Sequence, residues 1–214
     1  MSGWLTVVVA AAGLAAGGPA APRAGVDWPG FRGIQARGVS DGAATPAKWD
    51  VVAGQNVRWK VKVPGLSHSS PVIWGDRVCV TTAVSGKDDP LRVGLYGDIE
   101  PVQDTTPHEW RVLCYDKRNG KLLWNQLAAK GVPRVKRHTK ATQANATPAL
   151  DAGHVAALFG AEGLFVYDVK GKLLWKKDLG LLDAGFFRVP EAQWGHASSP
   201  VIHDGKLLVL ADVQ

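Results

Sequence analysis

Apolar residues in this chain come in short runs broken by glycine, proline and aspartate. In "RVCVTT" (77–82) Val78, Val80 and Thr82 alternate with their neighbours, the period of a half-buried strand. The runs in "HVAALF" (154–159) and "KLLVLA" (206–211) are continuous and too short for ordinary helices. Each is preceded by a similar stretch: "SHSSPVIWGD" (67–76), "QANATPALDAG" (143–153) and "GHASSPVIHDG" (195–205). The common plan is small hydroxyl residues, a proline, a short apolar strand, a Gly/Asp turn and a second strand. Two further phrases, "LCYDKRNGKLLW" (113–124) and "FVYDVKGKLLW" (165–175), read as strand, polar turn with glycine, and strand ending in tryptophan. Asn119-Gly120 is a strong hairpin-turn signal, because glycine tolerates positive φ without a Cβ clash. The "KLLW" strands are expected to expose lysine and bury their apolar side chains.

The predicted elements therefore repeat. Pro148 and Pro200 are 52 positions apart, and Trp124 and Trp175 are 51. Pro71 and Pro148 are 77 apart, because "VSGKDDPLRVGLYGDIEPVQDTTPHE" (84–109) is inserted between the second and third strands. Further inserts lie at about 129–142 and 180–194. Four-stranded propeller blades run about 40–50 residues, so these periods fit blades carrying extra loops. One such sheet cannot bury both of its faces alone. Stacking similar sheets, with a terminal tryptophan as a broad apolar contact, buries them. The expected organisation is a lone strand, "NVRWKVKV" (56–63), one full unit (66–128), a second (145–179) and half a third (196–214). The fold class is all-β: a propeller of antiparallel four-stranded blades, present as an incomplete arc of about two full blades plus partial ones.

Composition adds restraint. The chain of 214 residues is 46% hydrophobic and 21% charged, an ordinary globular balance, and its 25 Gly and 13 Pro suit many turns. The first 25 residues differ. "WLTVVVAAAGLAA" (4–16) is long enough for the core of a signal peptide and short for a membrane span. We expect residues 1–25 to be a leader cut among 17–24, with the domain proper at 26–214 and export to the periplasm or outside. The start "MSGW" lacks the usual lysine or arginine. Only Cys79 and Cys114 are present, without a CxxC pair or Cys/His cluster, so no zinc site is expected. They fall on neighbouring strands, but aligning Val78 with Val155 sets them one residue out of register, toward opposite faces. The net charge is +6. From Lys117 to Leu150 there is no acid and there are eight Lys or Arg, densest in "KGVPRVKRHTK" (130–140). A solvated loop is the favoured reading of that stretch. It has neither a nucleic-acid-binding signature nor interleaved aromatics, and no nucleic-acid partner is expected.

With these features in view, "YDKRNGKLLW", "DWPGFRGIQARGVS" (27–40) and "SSPVIWGDRVCVTTA" (69–83) resemble the PQQ-binding-like, quinoprotein-type β-propeller repeat family of bacterial envelopes. That family is similar in architecture to the lipoprotein of the outer-membrane β-barrel assembly machinery. The resemblance covers about residues 27–214. It implies seven or eight blades, of which this chain looks like the N-terminal half. It also implies a tryptophan-docking role for Asp116, Gly120 and Trp124 and for Asp168, Gly171 and Trp175. The second set is one residue shorter between Asp and Gly. Active members bind PQQ with calcium and use a catalytic aspartate, and some carry a vicinal cysteine pair. No such pair exists here and no quinone or metal site maps onto matching positions, so PQQ with calcium is implied by resemblance only.

The residues beginning each first strand are the remaining chemistry. His68, Ser69 and Ser70, then Asn145 and Thr147, then His196, Ser198 and Ser199, stand at equivalent places. In a propeller the first strand lines the central channel, so these groups are expected to ring one mouth and offer a polar rim to a small ligand or peptide. Capping of loose amides is the competing role for the same hydroxyl and amide groups. No orienting acid is assignable for a Ser–His nucleophile, and no catalytic residue is named. Asp88, Asp89, Asp98, Glu100 and Asp104 in the long insert do not have EF-hand spacing and read as a surface loop. Trp28, Phe31 and Arg32 are expected to pack in the core. The favoured function is an exported scaffold that binds an envelope protein or small ligand. The alternatives are a quinone-dependent oxidoreductase whose active residues lie in other blades, and a polysaccharide-binding module using aromatics such as Trp194.

Overall fold

The computed structural model describes residues 7–10, 20–87, 101–182, 185–186 and 189–211. Strand β1 is Val7–Ala10. The first full sheet contains β2 (Val72–Trp74), β3 (Arg77–Ser85), β4 (His108–Asp116) and β5 (Leu122–Gly131), paired in that order. The second contains β6 (Ala149–Leu150), β7 (His154–Leu158), β8 (Leu164–Asp168) and β9 (Leu173–Lys177), again in order. Both are antiparallel meanders, the architecture of propeller blades. The 180–194 insert holds a small hairpin, β10 (Gly185–Phe186) with β11 (Val189–Gln193). The third unit has β12 (Val201–His203) and β13 (Lys206–Leu210), and β1 pairs with the free side of β13. The remainder of the expected leader up to residue 19 lies outside the described residues.

Alternation along the strands makes the stack cohere. In β7, Val155 and Ala157 face the first blade while Ala156 and Leu158 face the third unit. In β8, Phe165 and Tyr167 face the first blade, and Leu164 and Val166 face the third. A side-chain period of two thus gives the middle sheet two buried faces. The first interface adds Val72, Trp110, Val112 and Trp124 from the other side, and the second adds Leu207 and Val209.

Several expectations need correction. Residues 56–63, the expected lone strand, form no ladder with the described residues; Arg58, Lys60 and Lys62 face solvent. Leu122, Leu123, Leu173 and Leu174 are all exposed rather than buried. The reason is a bulge at the same place in both phrases. Tyr115 pairs with Leu122 but Cys114 with Trp124, and Tyr167 pairs with Leu173 but Val166 with Trp175. The extra leucine shifts the pleat by one and turns the tryptophan inward. Cys79 and Cys114 lie directly opposite in the β3–β4 register and form a buried disulfide. The register differs from that of aligned units because each hairpin closes differently.

The leading segment runs across the innermost strands. Trp28 bridges to Ile73 through both backbone groups, and the Pro29 carbonyl accepts the Leu150 amide at 2.8 Å. Phe31 is not core: it is 55% exposed.

Candidate functional site: the channel mouth and the blade seams

Residues before the three strand-opening prolines connect one blade to the next. The Ser70 amide donates to Thr147 Oγ1 at 3.0 Å, and the Thr147 amide donates to Ser199 Oγ at 3.0 Å. Proline directly after each of these residues favours an extended backbone there. The hydroxyl of one unit can then satisfy an amide of the unit before it. Ser67 Oγ also donates to the Ala144 carbonyl, and the His68 amide does the same.

Beside this seam lies a groove of about 700 Å³, lined by His68, Asn145, Thr147, Ser198 and Ser199 together with Phe31, His138 and Trp194. Ser69 and Ser70 do not line it; Ser69 Oγ donates to the Ser70 carbonyl. His196 faces a separate small cavity with Gln143, Phe159 and Glu162. Its Nε2 lies 3.0 Å from the Leu210 carbonyl, so that nitrogen carries the hydrogen, and buried Nδ1 has no partner among the described residues. Burial pushes the His196 pKa down, which keeps the ring neutral. His138, Phe31 and Trp194 reach the groove from outside the strand starts. His138 and Trp194 meet edge to face, with ring centres 6.5 Å apart. No repeat pattern marks His138, because it sits in an insert.

At the outer side of the blades, each tryptophan reaches across a seam. The Trp124 Nε1–H donates to the Val169 carbonyl at 3.2 Å, and its ring covers Gly171 of the next unit. Trp59 repeats the arrangement one unit earlier, donating to the Lys117 carbonyl at 2.8 Å and covering Gly120. Lys117 and Val169 each follow the turn aspartate. Gly120 (φ 74°) and Gly171 (φ 90°) are in the left-handed region, and a Cβ on either would stand 2.8 Å from the indole. The aspartates shape the turns. Asp116 Oδ1 accepts the Arg118 amide, and Asp168 Oδ1 accepts those of Lys170 and Lys172. The Arg118 guanidinium beside Asp116 lowers its pKa to about 2. Trp175 packs on the second interface near Leu179 and Ile202. The sequence reading puts Trp59 in a strand, and its 61 positions from Gly120, against 47 from Trp124 to Gly171, hide the correspondence.

The two long inserts lock together, which corrects the reading of 130–140 as a solvated loop. Arg137 and Asp104 are both buried and paired through two hydrogen bonds, 2.8 and 3.1 Å. Gln143 Nε2 adds a third to Asp104 at 2.8 Å, and Val102 and Arg137 exchange backbone bonds. Burial alone would raise the Asp104 pKa, but Arg137 and Gln143 outweigh it and hold it low. Arg134 donates to the Ala161 carbonyl at 2.7 Å and approaches Asp178. Of the acidic residues in the long insert, Asp88, Asp89, Asp98 and Glu100 lie outside the described residues.

Calcium takes six to eight oxygen ligands, with carboxylates prominent. No aspartate or glutamate among the described residues lines the groove, and among them no three His, Cys, Asp or Glu gather as a metal site. This donor set does not fit a calcium–quinone pair.

The family model described as outer membrane protein assembly factor BamB, a PQQ-repeat model, aligns over residues 38–181 and again over 108–212. No curated protein matches the chain.

Proposed function

The chain belongs to the PQQ-repeat family of the outer membrane protein assembly factor BamB, and from that premise we propose that it is an exported β-propeller scaffold that binds a ligand or partner at the channel mouth. One observation carries the binding role. Polar side chains from three successive units face one groove, where Phe31 and Trp194 are 55% and 47% exposed. Large aromatic faces beside convergent polar groups are the usual make-up of a recognition site. Export is supported by the apolar run at 4–16 and by the envelope association that the family description states. No helix among the described residues is long and apolar enough to cross a membrane. The oxidoreductase reading draws no support from the donor set. The seams, in this reading, hold the blades rigid so that the groove is preorganised.

Fluorine NMR on protein labelled with 5-fluorotryptophan tests the binding role, with the Trp194 signal assigned by Trp194→Phe. The expected result is a saturable shift of that signal with members of a panel of saccharides, carboxylates and peptides, while buried Trp110 stays unmoved. A panel that leaves Trp194 unchanged throughout overturns the groove as a binding site. Fractionation of the native host tests export: the protein is expected outside the cytoplasm in a form shortened at residues 17–24.

A further inference from the structure

The bonds already made along the groove decide what is left to offer a ligand. Asn145 Oδ1 accepts both the Thr142 amide, at 2.9 Å, and the Thr142 hydroxyl, at 3.0 Å. The amide donor fixes which way the Asn145 side chain faces, and both oxygen lone pairs are used. Its NH₂ group makes no bond to the described residues and keeps two hydrogens to donate, on a residue that lines both the groove and the small cavity beside His196. His138 Nδ1 accepts the Lys140 amide at 3.0 Å, so the hydrogen of the neutral ring sits on Nε2. Thr147 Oγ1 and Ser199 Oγ each accept a backbone amide, leaving each hydroxyl hydrogen to donate. Ser198 makes no competing bond to the described residues. The wall is therefore rich in donors, and no described carboxylate stands along it to receive them.

Such a wall selects for acceptors, and hydrogen bonds to a charged acceptor are about twice as strong as neutral ones. The exposed Trp194 and Phe31 rings provide flat apolar faces beside the donors. The donors outnumber those that one carboxylate on an otherwise apolar ring would use, and unsatisfied donors are costly once covered. A sugar ring supplies further oxygens in the same plane and C–H faces for the indole. Resting on the channel-mouth reading above, we propose that the groove is selective for an acidic sugar, a uronic acid unit, with its carboxylate taken by Asn145 Nδ2 and His138 Nε2 and its ring against Trp194.

The test titrates the full chain with D-glucuronate, glucose and benzoate, following the fluorinated Trp194 signal. Asn145→Asp keeps Oδ1 for Thr142 and replaces the NH₂ donor with a charged acceptor. Glucuronate is expected to bind at least tenfold more tightly than either glucose or benzoate, and Asn145→Asp to weaken it at least tenfold. Should Asn145→Asp fail to fold, Ser198→Ala, which removes a donor without any internal bond, is expected to weaken glucuronate two- to fivefold. Equal binding of glucose, equal binding of benzoate, or wild-type affinity in the variants overturns the proposal. If no acidic sugar moves Trp194 while another ligand does, the selectivity fails and the scaffold reading stands. If nothing moves it, both fail.

Discussion

Gly171→Ala is the sharpest probe of how the blades hold together. At φ 90° the alanine would sit in a backbone region that L residues avoid, a cost of about 1–2 kcal/mol. Its Cβ would lie 2.8 Å from Cγ and Cδ2 of Trp124, which are ring atoms with no flexible end to move. Overpacking of that kind costs about 1–3 kcal/mol. A displaced ring also lengthens the 3.2 Å bond from Nε1 to the Val169 carbonyl, worth about 0.5–1.5 kcal/mol. Together these make the variant less stable by about 3–6 kcal/mol. Gly205→Ala is the control. Its φ is 68° and a Cβ there meets nothing within 4 Å, so only the backbone cost of about 1–2 kcal/mol remains. Urea unfolding followed by tryptophan fluorescence measures both. The steric share should vanish in a Trp124→Ala background, giving a coupling of about 2 kcal/mol in a double-mutant cycle. A Gly171→Ala loss within about 0.5 kcal/mol of the Gly205→Ala loss, or additive double mutants, would refute the idea that the indole seals the seam through this glycine.

Four other perturbations follow the same logic. Trp59→Ala should cost about 2 kcal/mol for a half-buried ring and speed proteolysis of the segment before residue 66, because Trp59 tethers it to the first blade. Replacing Cys79 and Cys114 by alanine should cost about 4 kcal/mol from loop entropy at a sequence separation of 35; in the intact protein, thiol reagents should label neither residue unless reductant and denaturant are both present. Arg137→Ala leaves Asp104 buried without its partner and should cost about 3–5 kcal/mol. Because the folded pKa of Asp104 is depressed, its contribution is present above the ordinary carboxylate range near about 4 and is lost as pH falls through and below it. Asp104→Asn should therefore flatten the acid limb of a stability–pH curve, and an unchanged limb would contradict the assignment.

The strands, their turns and their recurrence were legible because each is a local property. Alternation in 77–82, the Asn119-Gly120 turn and the hydroxyl residues before Pro71, Pro148 and Pro200 all act within a few residues of themselves. The same regularity placed His68, Asn145, Thr147, Ser198 and Ser199 at equivalent strand starts, and they line one groove. Contacts across the chain were a different matter. Which glycine an indole covers depends on stacking: Trp124 reaches Gly171 of the following blade and Trp59 reaches Gly120, and nothing in either phrase states that direction. Bulges at Leu123 and Leu174 show only when two strands are laid side by side. Arg137 looked like one more cation in a basic stretch until Asp104, 33 positions away, met it in the interior. Local propensity and period belong to the string of residues itself. Register, partner choice and the inventory of unused donors in the groove arise only when distant segments compete for the same hydrogen bonds and the same buried space.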